Sequence, residues 1–272
     1  GVYTVALARG LAAVPDVDLH LVARRGDRRW TTLAPGATVH AVVPDPRPAR
    51  LVWEQAGAPA LARRLAPDCW HGPHYTVPLR TSVPTVVTVH DLTFFDHPEW
   101  HERSKMRFFR PMIRAAARRA AAVICVSEHT AARLAVHAPP RGPVLVVPHG
   151  VDHERFRPDA DPAPDLDLLD GHGIAPPYLA FAGTIEPRKN LELLVRAFAR
   201  IAPAHPDLRL VLAGGDGWGA TAVRDEVAAS GVATRIVRPG YLPDPAIVAL
   251  FRRAAAVAYP SREEGFGLNV QI

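Results

Sequence analysis

The chain has 272 residues, 48% of them apolar, and a formal net charge of +5. That suits one large domain or two ordinary ones with a real core, and no run of about 18 uncharged apolar residues is present to span a bilayer. The positive charge is carried by arginine, Lys105 and Lys189 being the two lysines, and it suits polyanions, acidic lipid or phosphorylated ligands.

The sequence opens on Gly1 with no basic-then-apolar leader pattern. A helical period covers residues 3–13, and β-rich runs follow at 19–23 and 38–43. A helix is predicted over 49–65, a strand over 85–90 and a helix over 102–121. A strand at 122–126, a helix at 128–137 capped by Ser127, and a strand at 144–148 complete this block. Cys69 and Cys125 lie in strand-like runs, which predicts buried, reduced thiols in a cytoplasmic protein.

Residues 151–177 then carry prolines at 158, 162, 164, 176 and 177 and seven acidic side chains, a composition that predicts a linker. Alternation resumes with strands at 178–182, 208–213, 235–237 and 256–259 and helices at 191–201, 220–230 and 245–254. Uniformly apolar strands alternating with helices predict parallel sheets covered on both faces. The expected organisation is a first domain over 1–150, a linker over 151–177 and a second domain over 178–272, each doubly wound. In such folds ligands sit at the carboxyl ends of the strands.

His90 stands at one such end, although an isolated histidine there is more often a core residue. After the strand at 178–182 come Gly183, Arg188, Lys189 and Asn190, leading into a helix. The glycine permits close approach, Asn190 is placed to cap the helix, and two cations beside helix amides suit a diphosphate. A solvated basic turn is the competing account. After the strand at 256–259, Glu264 could accept hydrogen bonds from sugar hydroxyls, and the backbone of Gly265, Phe266 and Gly267 could hold phosphate.

Other patterns carry less. Asp16-Val17-Asp18 and Asp165-Leu166-Asp167 match a short acidic metal motif but follow a helix and fall in the linker, respectively. The thirteen histidines show no zinc spacing, and no nucleophile elbow, P-loop or complete dinucleotide fingerprint occurs. No metal or cofactor is expected, and no nucleic-acid-binding motif appears. Arg103, Arg107, Arg110, Arg114 and Arg118 recur at spacings of three and four, giving one helix a cationic face. Such a face is either simply solvated or docks on anionic membrane.

The segments TVHDLTFFDHPEW (88–100), VPHGVD (147–152), FAGTIEPRKNLELLVRAF (181–198), LVLAGGDGWG (210–219) and YPSREEGFGL (259–268), in this order, resemble glycosyltransferase family 4, nearest its bacterial mannosyltransferase-like branch. The resemblance implies the α/β GT-B fold: two Rossmann-like domains facing a crevice, acceptor on the first and nucleotide sugar on the second. It implies a retaining hexosyltransferase in polysaccharide or glycolipid synthesis, with a nucleoside diphosphate sugar as donor and a glycan or lipid-linked acceptor. GDP-mannose is the first expectation for the donor and UDP sugars the next. His90 matches the family histidine against the donor sugar, Arg188 and Lys189 the pair on the diphosphate, and Glu264 the first glutamate of the E-x7-E motif.

The departures are at the ends. Ile272 stands where the second glutamate is due, and Asn269 replaces the usual proline. The opening resembles the end of the family's glycine-rich loop and its helix. These features lead to the expectation of a chain truncated at both ends, lacking its first strand and inactive as a fragment. The alternatives are another GT-B-type enzyme, such as a nucleotide-sugar epimerase, or a non-catalytic nucleotide-binding remnant.

Overall fold

The computed structural model describes residues 2–158 and 161–271. The chain forms two compact units, the first comprising Gly1–Leu92 and Arg107–His149, the second Thr93–Met106 and Gly150–Ile272. The grouping departs from a division at residue 150, because Thr93–Met106 packs with the second unit. That excursion leaves immediately after a strand, where the sequence offers no compositional break.

The first unit opens on α1 (Val2–Ala12), β1 (His20–Arg24), α2 (Trp30–Leu33), β2 (Thr38–Val43) and α3 (Arg47–Leu65). β1 and β2 pair in parallel as a two-stranded sheet. A second, four-stranded parallel sheet has the order β3-β4-β5-β6, from β3 (Trp70–Gly72), β4 (Thr85–Val89), β5 (Ala122–Cys125) and β6 (Val144–Val146). The three-residue β3 is too short to show a period and went unpredicted. β4 is buried at Val87, Thr88 and Val89 in succession, as a central strand covered on both faces should be.

Between β4 and β5 run α4 (Thr93–Asp96) and α5 (Arg103–Arg119); α6 (Glu128–His137) joins β5 to β6. Ser127 caps α6 as expected, its hydroxyl accepting from the Thr130 amide. Cys125 is buried, and that burial pushes its thiol up to about 11. Cys69, expected to be buried, is exposed because it stands just before β3 rather than within a strand.

The stretch expected to be a linker contains a helix, α7 (Pro162–Asp170). Its prolines and acids have local roles: Pro162 opens the helix, and the Asp161 carboxylate accepts from the Ala163 amide. Leu169 and Ile174 are fully buried. The acidic Asp165 is buried too, held by Arg252 Nη1 at 2.9 Å and Arg253 Nε at 2.8 Å.

The remaining elements are β7 (Tyr178–Ala182), α8 (Leu191–Ile201), β8 (Arg209–Ala213), α9 (Ala220–Ala229), β9 (Ile236–Gly240), α10 (Asp244–Arg253), β10 (Ala256–Val257) and α11 (Leu268–Gln271). The strands form a parallel sheet of order β10-β7-β8-β9. Alternation along the strands divides the core between two faces. Tyr178, Ala180, Val211 and Ala213 pack with Leu169, Ala246 and Leu250 on the α7 and α10 side. Phe181, Leu210 and Leu212 pack with Leu194, Phe198 and Val223 on the α8 and α9 side. Each such large side chain contributes about 1.5–3 kcal/mol when fully buried. At the sheet's β10 end, the Ala258 amide bonds to Ala180 O, and the Tyr259 hydroxyl then donates to Ala182 O and accepts from Ala182 N.

The short α11 starts at Leu268, the last residue of the segment that carries the resemblance, one position before the departure expected from Asn269 onward. Ile272, the position due for the second glutamate, lies outside the described residues.

Candidate functional site

In the second unit the chain leaves β7 at Ala182 and turns at Gly183, whose φ is 156°. The close approach expected at Gly183 is made by backbone: a Cβ on Gly214 would stand 2.0 Å from Gly183 O. The steric requirement for glycine therefore falls on position 214, at the end of the neighbouring β8.

Pro187–Lys189 form one turn of 3-10 helix, presenting Arg188 and Lys189 immediately before α8. Asn190 occupies the cap position at φ 55° but makes no cap bond. Its Nδ2 instead donates to Pro260 O at 3.2 Å, tying this turn to the loop after β10. Arg262 N adds a bond to Arg188 O at 2.9 Å.

That loop brings Glu264 onto both cations. Arg188 Nη1 donates to Glu264 Oε2 at 2.8 Å and Lys189 Nζ to Oε1 at 2.5 Å, while Arg188 Nε reaches Glu186 at 3.2 Å. Lys189 is only 7% exposed. Burial pushes its ammonium below the ordinary lysine range, with Arg188 acting in the same sense against Glu264. For Glu264, burial pushes the carboxyl up, but Arg188 and then Lys189 outweigh it and the net shift is downward. The result is a preassembled cationic pair compensated by one carboxylate. Sequence separation of some 75 residues concealed this pairing.

Gly265, Phe266 and Gly267 follow in the same loop, each half-buried. Gly267 has φ 76°, which a side chain would strain although the space around it is open.

In the first unit His90 ends β4 among other rings. Its Nε2 donates to Pro73 O at 2.9 Å, since a carbonyl oxygen can only accept. Tyr3 packs edge-on at 4.8 Å, His74 lies at 5.5 Å, and His149 stacks at 5.7 Å. The Tyr3 hydroxyl and His71 Nε2 meet at Thr88 Oγ1, at 2.9 and 2.8 Å. Partial burial pushes His71 and His149 below the ordinary histidine range, His74 shifts the same way although much of that residue is exposed, and the charge of His90 acts in the same sense on all three. His149 was within reach of sequence reasoning, since it too follows a strand; Tyr3 and His74 carried no such signal.

Among the described residues, no three His, Cys, Asp or Glu side chains gather as a metal site, and no helix is long and apolar enough to cross a membrane. Asp165, half of one short acidic motif, is instead the arginine-bound residue of α7.

The profile of Glycosyltransferase Family 4 matches residues 1–155, and that of Glycosyl transferases group 1 matches residues 171–271. O-antigen chain mannosyltransferase B of Escherichia coli is 28% identical over 205 residues, which are 74% of this chain and 53% of that protein. The GDP-mannose-dependent alpha-(1-6)-phosphatidylinositol monomannoside mannosyltransferase of Mycolicibacterium smegmatis is 32% identical over 165 residues, 59% of this chain and 43% of that one. The chain thus spans about half the length of these relatives. In fold it resembles Anabaena HepE, solved with UDP and glucose, at a TM-score of 0.71 and 19% identity, covering 99% of this chain and 73% of that one. The parallel sheets with their alternating helices are those of the GT-B fold, and with the family profile matching more than half of its residues the chain belongs to glycosyltransferase family 4.

Proposed function

We propose that this protein is a retaining hexosyltransferase that moves a sugar from a nucleoside diphosphate donor to a hydroxyl of a glycan or lipid-linked acceptor in bacterial polysaccharide or glycolipid synthesis. The observation that carries the proposal is the convergence of Arg188 and Lys189 on one point beside the end of β7, in a chain of this family. A departing diphosphate gains negative charge in the transition state, and fixed cations in a largely buried setting stabilise that charge. Arg188 and Lys189 take this role, so charge neutralisation is assigned to them and not to a metal. Glu264 accepts from hydroxyls of the donor sugar, and Gly183, Gly265, Phe266 and Gly267 offer backbone to the donor. His90, its Nε2 engaged by Pro73, presents its ring to the sugar.

In the retaining step the bond from the anomeric carbon to the phosphate oxygen breaks while the acceptor oxygen bonds to the same face. The acceptor proton passes to the departing phosphate. GDP-mannose is the first candidate donor, by the name of the mycobacterial relative; UDP sugars come next, by the ligand of the HepE structure. The exposed arginines of α5 serve peripheral docking at the anionic inner face of the cell membrane, where a lipid-linked acceptor lies.

The test is calorimetry with GDP and UDP on the protein and on Lys189→Ala, with folding checked by circular dichroism. Loss of one charge-assisted contact costs about 1.5–3 kcal/mol, so nucleotide affinity falls about tenfold or more. Unchanged affinity removes the diphosphate assignment. Arg188→Gln repeats the test should Lys189→Ala fail to fold. Sugar transfer that depends on an added acceptor separates this reaction from epimerisation.

A further inference from the structure

Beyond the cations and Glu264, the loop after β10 has a second attachment that comes from a remote part of the sequence. In the segment Thr93–Met106, which belongs to the second unit, His97 lies between α4 and the 3-10 turn Pro98–Trp100. Its position is fixed by backbone bonds, His97 N to Thr93 O at 3.0 Å and Trp100 N to His97 O at 3.1 Å. Its ring stacks on Trp100 with centroids 3.7 Å apart and planes 12° from parallel. Trp100 is 8% exposed, so the imidazole rests on a buried platform. The ring nitrogens both meet carboxylates: Nδ1 lies 3.2 Å from Glu99, and Nε2 lies 2.9 Å from Glu263 Oε2.

Glu263 is the residue before Glu264. The two adjacent carboxylates are held by different elements, Glu263 by His97 and Glu264 by Arg188 and Lys189. The Glu263 side chain is 16% exposed and that of His97 35%, so the bond is shielded from water mainly at its carboxylate end. A side chain fixed within about half an ångström needs neighbours that are themselves fixed. Bonds from Asn190 and Arg188 hold the loop backbone to the α8 side, and the stacked His97 supplies a hold from the other segment.

We infer that His97 is a positioning residue for the donor sugar, setting the placement of Glu264 by holding Glu263. The assignment rests on the donor reading above and extends it to a residue of the segment that follows β4. The same segment begins three residues after His90, so the histidine assigned to the sugar and the device that places the sugar's carboxylate share one short stretch of chain.

Two measurements on the protein and on His97→Ala and His97→Gln test this. Amide exchange reads the loop directly: His97→Ala should speed exchange at Arg262 and its successors through Gly267 about tenfold while β7 and β8 stay protected. Calorimetry with GDP and GDP-mannose, and with UDP and UDP-glucose, reads the consequence. His97→Ala should weaken the sugar nucleotide about tenfold and the bare nucleotide less than about twofold, because only the former uses Glu264's contact with the sugar. Glutamine keeps an N–H donor for Glu263, and His97→Gln should restore both readouts to within about twofold of the parent protein. Unchanged exchange at Arg262 in His97→Ala overturns the inference, as does an equal loss for nucleotide and sugar nucleotide. A parent protein that binds none of these ligands, with exchange still responding to His97→Ala, overturns the donor reading instead and with it the sugar role of His97.

Discussion

The two units place charge in opposite ways. Among the described residues, the charged side chains in the buried class, Asp165 and Lys189, both belong to the second unit, and each is ion-paired. In the first unit the buried polar side chains Thr85, Thr88 and Thr130 are neutral, and its site is a cluster of aromatic and imidazole rings. On α5, Arg107, Arg114, Arg118 and Arg119 are exposed. On the proposed function, the unit that would receive a diphosphate holds cations ready, and compensating carboxylates keep those cations folded inside. The unit proposed to present a hydroxyl acceptor has no such need, and partial burial disfavours the charged form of His71 and His149.

The comparison breaks most sharply at Asp165. Removing a carboxylate from two largely buried arginines should cost about 3–5 kcal/mol. Asp165→Ala should therefore show that loss in urea unfolding, read by a probe in the second unit. A loss under about 1 kcal/mol would mean that the pair behaves as an exposed one. The exterior charge of the first unit comes next. Each basic residue contributes about 1 kcal/mol at an anionic surface, so Arg107, Arg114 and Arg118 together amount to about 3 kcal/mol. Changing all three to glutamine should abolish sedimentation with phosphatidylserine vesicles, and equal binding of the parent protein to neutral vesicles would remove the docking proposal. Arg110 is left out of that set because the structure half-buries it.

The smallest effect is the response to acid. His71, His74 and His149 bind protons less readily in the fold than in the unfolded chain, where the ordinary value applies. Below about pH 6.5 the unfolded chain therefore takes up more protons, so stability falls as pH falls through this window. Thermal scans from pH 7.5 to 5 should show a declining Tm for the first unit, and His74→Gln should make that decline shallower. An identical slope in the variant would show that His74 is not among the groups responsible.

Much of this was visible in the sequence where a rule is local. Strand–helix alternation located β4, β5, β7 and β8, Ser127 announced its cap, and the after-strand rule singled out His90, Arg188 and Lys189. What escaped was tertiary. In sequence Asp165 is part of an acidic motif in a predicted linker, and only the fold brings Arg252 and Arg253 to it. Asn190 holds the cap position, but its amide is drawn off by Pro260. Glu264 was legible as a carboxylate near a sugar, whereas its hold on both cations depends on the distant turn at Pro187–Lys189.

The phenol of Tyr259 has a consequence for how the second sheet ends. β10 contributes two residues to its ladder, and past it the backbone groups of Ala182 are met by a hydroxyl that both gives and receives a hydrogen bond. A side chain thus completes the last rung of the sheet. Free rungs of this kind are what foreign strands pair with when proteins associate edge to edge. Burial pushes the Tyr259 phenol well above its ordinary range, so this plug keeps its proton, and its bond to Ala182 O, across physiological pH. The end of β7 that leads to Gly183 is in this way insulated from strand invasion by one oxygen atom.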